Sequence, residues 1–318
     1  VTAYSFDFRL YQRPFRLPLK THHGSWEIRE GIILRLVDDR GKMGWGEIAP
    51  LSWFGSETLQ QALAFCQQLE DKCTAEDIQK IPDDLPACQF GFESALEDLF
   101  KEKSNLAKGF QYSHLLPAGE AALNAWRIPW QSGGKTFKWK IGVQAIATEI
   151  DRFLQLIEQL PEGVKLRLDA NGGLSFKQAQ EWLAIADKTE RVEFIEQPLP
   201  SHYFEEMLAL SHDYTTPLAL DESVATLKQL EACYQKGWRE IYVIKAAIAG
   251  SPKRLRQVCR QYSLDLVFSS VFETRIAREA AIELAAELSG SDRALGFGIH
   301  HWFEGDEGQW LESLWKTY

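Results

Sequence analysis

The chain has 318 residues, 45% of them apolar and 25% charged, with a formal net charge of −10. That is more than one small domain needs; a barrel of about 200–250 residues with a smaller companion fits the length. The acidic balance argues against nucleic acid and anionic lipid as partners, but a local cluster of lysines and metal would still admit a small anionic substrate.

From the N-terminus, Tyr4, Phe6 and Phe8 alternate with smaller or polar residues and predict a strand. This start lacks the basic residues and apolar run of a signal peptide. Gly31–Val37 and Gly44–Ala49 predict two further strands, with a hairpin turn over Asp38–Gly41. Lys20–Trp26 and Pro50–Ser56, rich in Gly, Ser and aromatics, predict mobile binding loops. Helical spacing takes over at Glu57–Leu69 and Ala87–Lys101, so the first hundred residues read as a separate α+β unit.

From about residue 114 strand and helix alternate. The predicted strands are Leu115–Ala118, Thr136–Ile141, Lys165–Asp169, Val192–Glu196, Leu218–Asp221, Glu240–Lys245, Leu264–Ser269 and Ala294–Gly298. Helical segments fall between most of them, and the first crossover is short. Regular alternation implies parallel strands, and eight of them a closed barrel. The rival, an open doubly wound sheet, usually carries a Gly-rich phosphate loop after its first strand, and this chain has none. No run of about 18 apolar residues exists to span a membrane. Cys66, Cys73, Cys88, Cys233 and Cys259 are odd in number and form no CxxC pair, which suits reduced thiols in a cytoplasmic protein.

A parallel barrel builds its active site at the C-terminal ends of its strands. Ionisable residues fall there on five successive predicted strands: Lys138 and Lys140 on the second, then Asp169, Glu196, Asp221 and Lys245. Alternation puts Lys138 and Lys140 on one face and Trp139 on the other. Any one such Asp is more often a helix N-cap, and any one such Lys is more often solvated. The ordered set is what chance does not supply. Three neighbouring carboxylates would repel unless a hard dication such as Mg²⁺ sat among them. His300 and His301 either line the mouth or turn the chain, and His22 and His23 are as readily exposed loop residues as ligands. No nucleophile elbow or Walker loop occurs.

This constellation resembles the muconate-lactonising branch of the enolase superfamily, which carries Lys-x-Lys, then metal-binding Asp, Glu and Asp, then Lys, on barrel strands two to six. Asp169 and Asn171 fall in a family-like Asp-x-Asn, and Gly44–Pro50 is similar to the end of the family's capping-domain sheet. The resemblance implies a modified TIM (β/α) barrel with an N-terminal α+β capping domain. It divides the chain into a cap (1–112), a barrel (113–300) and a C-terminal segment (301–318) packing back on the cap. It implies Mg²⁺, with Mn²⁺ as the alternative, held by Asp169, Glu196 and Asp221. Lys140 would take a proton next to a carboxylate, and Lys245 would stand cationic on the opposite face. Lys138 would favour the free amine of Lys140 by like charge, and Asn171 would support the site.

Within the branch, Phe268–Thr274 and Gly296–Phe303 are most similar to the members that dehydrate a cyclohexadiene carboxylate bearing a succinyl chain, on the way to menaquinone or phylloquinone. Ser269, Ser270 and Gly296 would then meet the succinyl end. Relatives that epimerise dipeptides carry Asp-x-Asp at the eighth strand, where this chain has Gly296-Phe297-Gly298. Racemase, epimerase or cycloisomerase activity is the alternative on the same scaffold. Lys245 is followed by Ala-Ala where relatives commonly have Pro. The implied partner is a small carboxylate; oligomeric state stays open, and a monomer is compatible.

Overall fold

In the computed structural model of the chain, the described residues are 2–21, 24–69, 71–101, 109–290, 292–298 and 302–316. The alternating N-terminal sequence forms two long antiparallel strands, β1 (Ala3–Thr21) and β2 (Gly24–Val37), joined by β3 (Met43–Ile48) and β4 (Lys72–Thr74) in the order β3-β2-β1-β4. One face of β2 buries Ile32, Leu34 and Leu36 in a core shared with Phe6 and with Phe92 of helix Pro86–Phe100. That helix lies so close to β3 that a Cβ on Gly46 would come within 2.0 Å of the Gly91 carbonyl oxygen. Helix Leu59–Gln68 begins at a capping box between Thr58 and Gln61, the local signal that stops the chain from continuing as loop.

The loop expected at Lys20–Trp26 is corrected. Strand pairing runs to Thr21 opposite Gly24, with Lys20 opposite Ser25 and Leu19 opposite Trp26. The segment is the tip of a long hairpin, because cross-strand pairing overrides a loop-like composition. His22 and His23 lie outside the described residues, as do His300 and His301.

The second sheet has seven parallel strands in chain order: β5 (Ser113–Leu115), β6 (Thr136–Lys140), β7 (Lys165–Asp169), β8 (Val192–Glu196), β9 (Leu218–Leu220), β10 (Ile241–Ile244) and β11 (Asp265–Phe268). The first lies slightly upstream of its expected position, and short helical turns between 119 and 131 form the weak first crossover. The eighth expected strand, 294–298, makes isolated parallel bridges rather than a continuous strand, Ser269 to Gly296 and Tyr112 to Leu295. Their hydrogen bonds nevertheless join the two edges. Gly296 N–H donates to Phe268 O at 2.8 Å, and Leu295 accepts from Ser113 N–H at 2.8 Å. A Cβ on Gly296 would sit 2.6 Å from Ser269 Oγ, so glycine lets this segment approach β11.

Alternation then sorts the barrel. Phe194, Ala219, Ile241, Val243 and Val267 form one apolar cluster, while Phe137, Trp139, Leu168, Ile195, Leu220 and Phe268 join the larger core that includes the surrounding helices. At the C-terminus, helix Glu307–Lys316 places Leu311 against Tyr11 and Ile33 of β1 and β2, and Glu307 pairs with Arg13 and Arg278. Glu47 of β3, fully buried, ties the first sheet to the second. It accepts from Tyr11 Oη at 2.6 Å, Thr274 N–H at 2.9 Å and Ala277 N–H at 3.2 Å, capping helix Arg275–Leu288.

Candidate active site

The C-terminal ends of the parallel strands open into a cavity of about 660 Å³. Lys138, Lys140, Asp169, Asn171, Asp221, Lys245, Ser269, Ser270 and Gly296 all line it. Glu196 lies beneath Lys138, 2% exposed. A second cavity of about 680 Å³, between β3 and the C-terminal helix, contains none of these residues.

Strand register brings the set together. Lys140 pairs across to Asp169, and Asp169 to Glu196. Asp221 follows β9 two residues after Ala219, itself opposite Glu196, so the third acid arrives from the next strand. Lys245 follows Ile241 and Val243 on the inward side of β10. With 294–298 filling the gap between β11 and β5, β6 and β10 are four positions apart by either route around the barrel. The two lysines therefore enter the cavity from opposite walls.

Charge is balanced within the site. Lys138 Nζ lies 2.7 Å from both Asp169 Oδ2 and Glu196 Oε1, and Lys245 Nζ pairs with Asp221. Burial disfavours the Lys138 ammonium, but Asp169, Glu196 and Asp221 outweigh it and hold this lysine protonated. Burial also opposes the Asp169 carboxylate, yet Lys138 brings that group below its ordinary value. Glu196 is raised by burial and then by the Asp169 charge, and Asp221 is pushed up to about 6, mainly by burial. Among the described residues, no three His, Cys, Asp or Glu side chains converge closely enough to enclose an ion; Asp169 and Asp221 are instead paired with Lys138 and Lys245. The donor chemistry still suits a hard dication: the acids offer only oxygen, and burial raises two of them above their ordinary values, a penalty a bound cation would offset.

Two contributors, Gln197 and Glu222, were not singled out from sequence, whereas Asn171 and the loop after β3 were. Gln197, fully buried with a left-handed φ of 38°, accepts from the backbone N–H groups of Asp221 and Ser223 at 3.0 and 3.1 Å and so sets the strand end bearing Asp221. Asn171, also left-handed, donates to Glu222 Oε1 at 3.1 Å. Glu222 lines the cavity, and its other carboxylate oxygen is buried without a hydrogen-bond partner. The Glu-Gln-Pro and Asp-Glu-Ser tripeptides were the available signals. Phe54, from the loop after β3, lies over Lys245 Nζ at 3.8 Å from the ring centroid. Trp53 packs edge-on against Trp26 at 5.0 Å, which joins that loop to the hairpin tip.

The fold and site define a barrel enzyme of the enolase superfamily. The family model described as Enolase C-terminal domain-like matches residues 122–313, and that described as MenC, N-terminal domain, matches residues 7–99. The chain belongs to the o-succinylbenzoate synthase family. It is 41% identical to the o-succinylbenzoate synthase of Thermosynechococcus vestitus over 302 residues, 93% of either protein. It is 30% identical to that of Haemophilus influenzae over 299 residues, 90% of this chain and 87% of the relative. The crystal structure of o-succinylbenzoate synthase from Thermosynechococcus elongatus BP-1, complexed with Mg in the active site, superposes with a TM-score of 0.91 at 39% identity, covering 99% of this chain and 100% of that one. The L-Ala-D/L-Glu epimerase of Bacillus subtilis shares the fold, with a TM-score of 0.78 at 23% identity over 93% of this chain and 90% of the epimerase.

Proposed function

We propose that the chain is a Mg²⁺-dependent o-succinylbenzoate synthase, a hydro-lyase that removes water from 2-succinyl-6-hydroxy-2,4-cyclohexadiene-1-carboxylate to give 2-succinylbenzoate. What carries the reading is one cavity walled by Lys138, Lys140, Asp169, Asp221 and Lys245, in a chain 41% identical to an enzyme of that name. In this reading Asp169, Glu196 and Asp221 hold the ion, with Mn²⁺ as an alternative. The bound dication supplies Lewis-acid stabilisation of the negative charge that gathers on the substrate carboxylate.

Lys140, as the free amine, takes the proton from the ring carbon bearing the carboxylate. The electron pair left behind expels the hydroxyl from the neighbouring carbon, and Lys140 returns its proton to that leaving group on the same face. The products are water and an aromatic ring, with no net change at the enzyme. Lys245, across the barrel and paired with Asp221, meets the developing charge as a cation. Lys138, beside Asp169 and Glu196, is a like charge on the same strand face as Lys140. Asn171 supports the acids, while Ser269, Ser270 and Gly296 take the succinyl end. Phe54 and Trp53 cover the mouth and exclude water.

The same reading assigns residues 1–112 to the cap, 113–300 to the barrel and 301–318 to the returning segment. It places the enzyme in menaquinone or phylloquinone synthesis and in the cytoplasm, in keeping with five unpaired cysteines. The test is conversion of the cyclohexadiene substrate with Mg²⁺, run beside a panel of N-acylamino acids and dipeptides. The expected result is dehydration at a kcat/KM far above any racemisation. No dehydration with Mg²⁺ present would refute the reading.

A further inference from the structure

The turn between β11 and helix Arg275–Leu288 spends its own polar groups on fixing one aromatic side chain. Ser270 Oγ donates to the Glu273 carboxylate, 2.8 Å from either oxygen, and accepts from Phe272 N–H at 2.8 Å. Val271 N–H donates to Glu273 Oε2 at 2.6 Å. The following residue, Thr274, is bound to Glu47 of the capping sheet. Within this lattice Phe272 has a φ of 59°, a left-handed conformation that bulky side chains rarely adopt and that Gly or Asn would take without strain. Its ring meets Phe15, Trp26 and Trp302 edge-on, with centroids 5.5, 5.7 and 6.0 Å away, and it lines the cavity beside Trp26. A strained aromatic held over-determined at the edge of a site is backbone energy spent on shape.

We propose that Phe272 is a specificity-determining residue, an apolar wall for the flat ring of the carboxylate substrate, and that Glu273 is the positioning residue that holds it there. The proposal rests on the lyase reading and adds to it the element that selects a planar ring. Glu273 is 1% exposed, and its hydrogen bonds stay within the turn and the helix that follows, so it acts through Phe272 and its neighbours. The wall should therefore govern how tightly ligand is held more than how fast the chemical step runs.

The experiment uses the full chain with Mg²⁺, steady-state kinetics on the cyclohexadiene substrate, and calorimetric binding of 2-succinylbenzoate. Phe272→Asn keeps the left-handed backbone and removes the ring; Glu273→Gln keeps the size and replaces one of the two acceptor oxygens by an NH₂ donor. Both should raise KM and the product Kd by roughly tenfold or more, with kcat within about threefold of wild type. Unchanged KM and Kd in Phe272→Asn, or a loss confined to kcat, would overturn the proposal. If circular dichroism shows Glu273→Gln unfolded, Phe272→Asn alone decides. A wild-type chain that neither dehydrates the substrate nor binds the product overturns the lyase reading and the ligand assigned here; an active wild type with indifferent variants overturns only the wall.

Discussion

Replacing Glu47 by Ala should unfasten the capping sheet from the barrel. The Glu47 side chain is fully buried and takes four donors: Tyr11 Oη at 2.6 Å, Thr274 N–H at 2.9 Å, Thr274 Oγ1 at 2.5 Å and Ala277 N–H at 3.2 Å. Each buried donor left unpaired costs about 1–3 kcal/mol. Losing an anion at the start of helix Arg275–Leu288 adds about 0.3–1 kcal/mol. Taking the low end of each gives about 4–5 kcal/mol, comparable with the whole stability of a marginal protein at about 5–15 kcal/mol. Glu47→Gln keeps the size and one acceptor oxygen, and should lose about half as much. Urea unfolding followed by tryptophan fluorescence and far-ultraviolet circular dichroism reads the loss. An early transition should appear as the cap detaches, ahead of the barrel. A loss below about 1 kcal/mol in Glu47→Ala would show that water or another group satisfies these donors, and would refute the reasoning.

Lys140→Ala and Lys245→Ala should each lower turnover by roughly 10²–10⁴-fold with an unchanged circular dichroism spectrum; appreciable activity in either contradicts its role. Asp221→Asn should raise the Mg²⁺ concentration needed for half-activity by about tenfold or more while lowering turnover, and an unaltered metal requirement would remove it from the ligand set. With divalent ions chelated, stability should fall as pH rises from about 4 to 6. Burial raises Asp221 to about 6 and holds Glu57 and Glu273 above their ordinary values, so across that window the native state binds more protons than the unfolded chain. Asp221 alone contributes about 3 kcal/mol to this slope. The lowered acids Asp169, Glu193 and Glu307 oppose this at the low end of the window and beneath it, where protonating them removes stability. Urea midpoints at both ends of the window check the sign, and a rise in stability would refute it.

The barrel was legible because strand alternation and helical spacing are local. Lys165–Asp169 and Val192–Glu196 were placed with their final bounds. The acids and lysines were legible because they end those strands. Pairing between distant segments was not. The Lys20–Trp26 hairpin tip looked like a loop by composition, and only its cross-strand register makes it strand. Strand β4 and helix Ala75–Gln79 are too short to show a period. Segment 294–298 carries too little ladder to count as a strand, although it closes the barrel. The left-handed backbones of Gln197 and Phe272 have no sequence signature, since they are imposed by the hydrogen bonds around them, whereas Asn171 is a residue type that takes this conformation readily. The grip of Lys138 on two acids likewise depended on how far a side chain reaches across neighbouring strands.

That grip has a consequence for how the protein matures. With Lys138 bridging Asp169 and Glu196, and Lys245 on Asp221, the mouth carries its own counter-ions as the strands assemble. On the proposed ligand set, a bound Mg²⁺ would exchange one positive charge for another at these acids, and the amines would be freed toward the substrate.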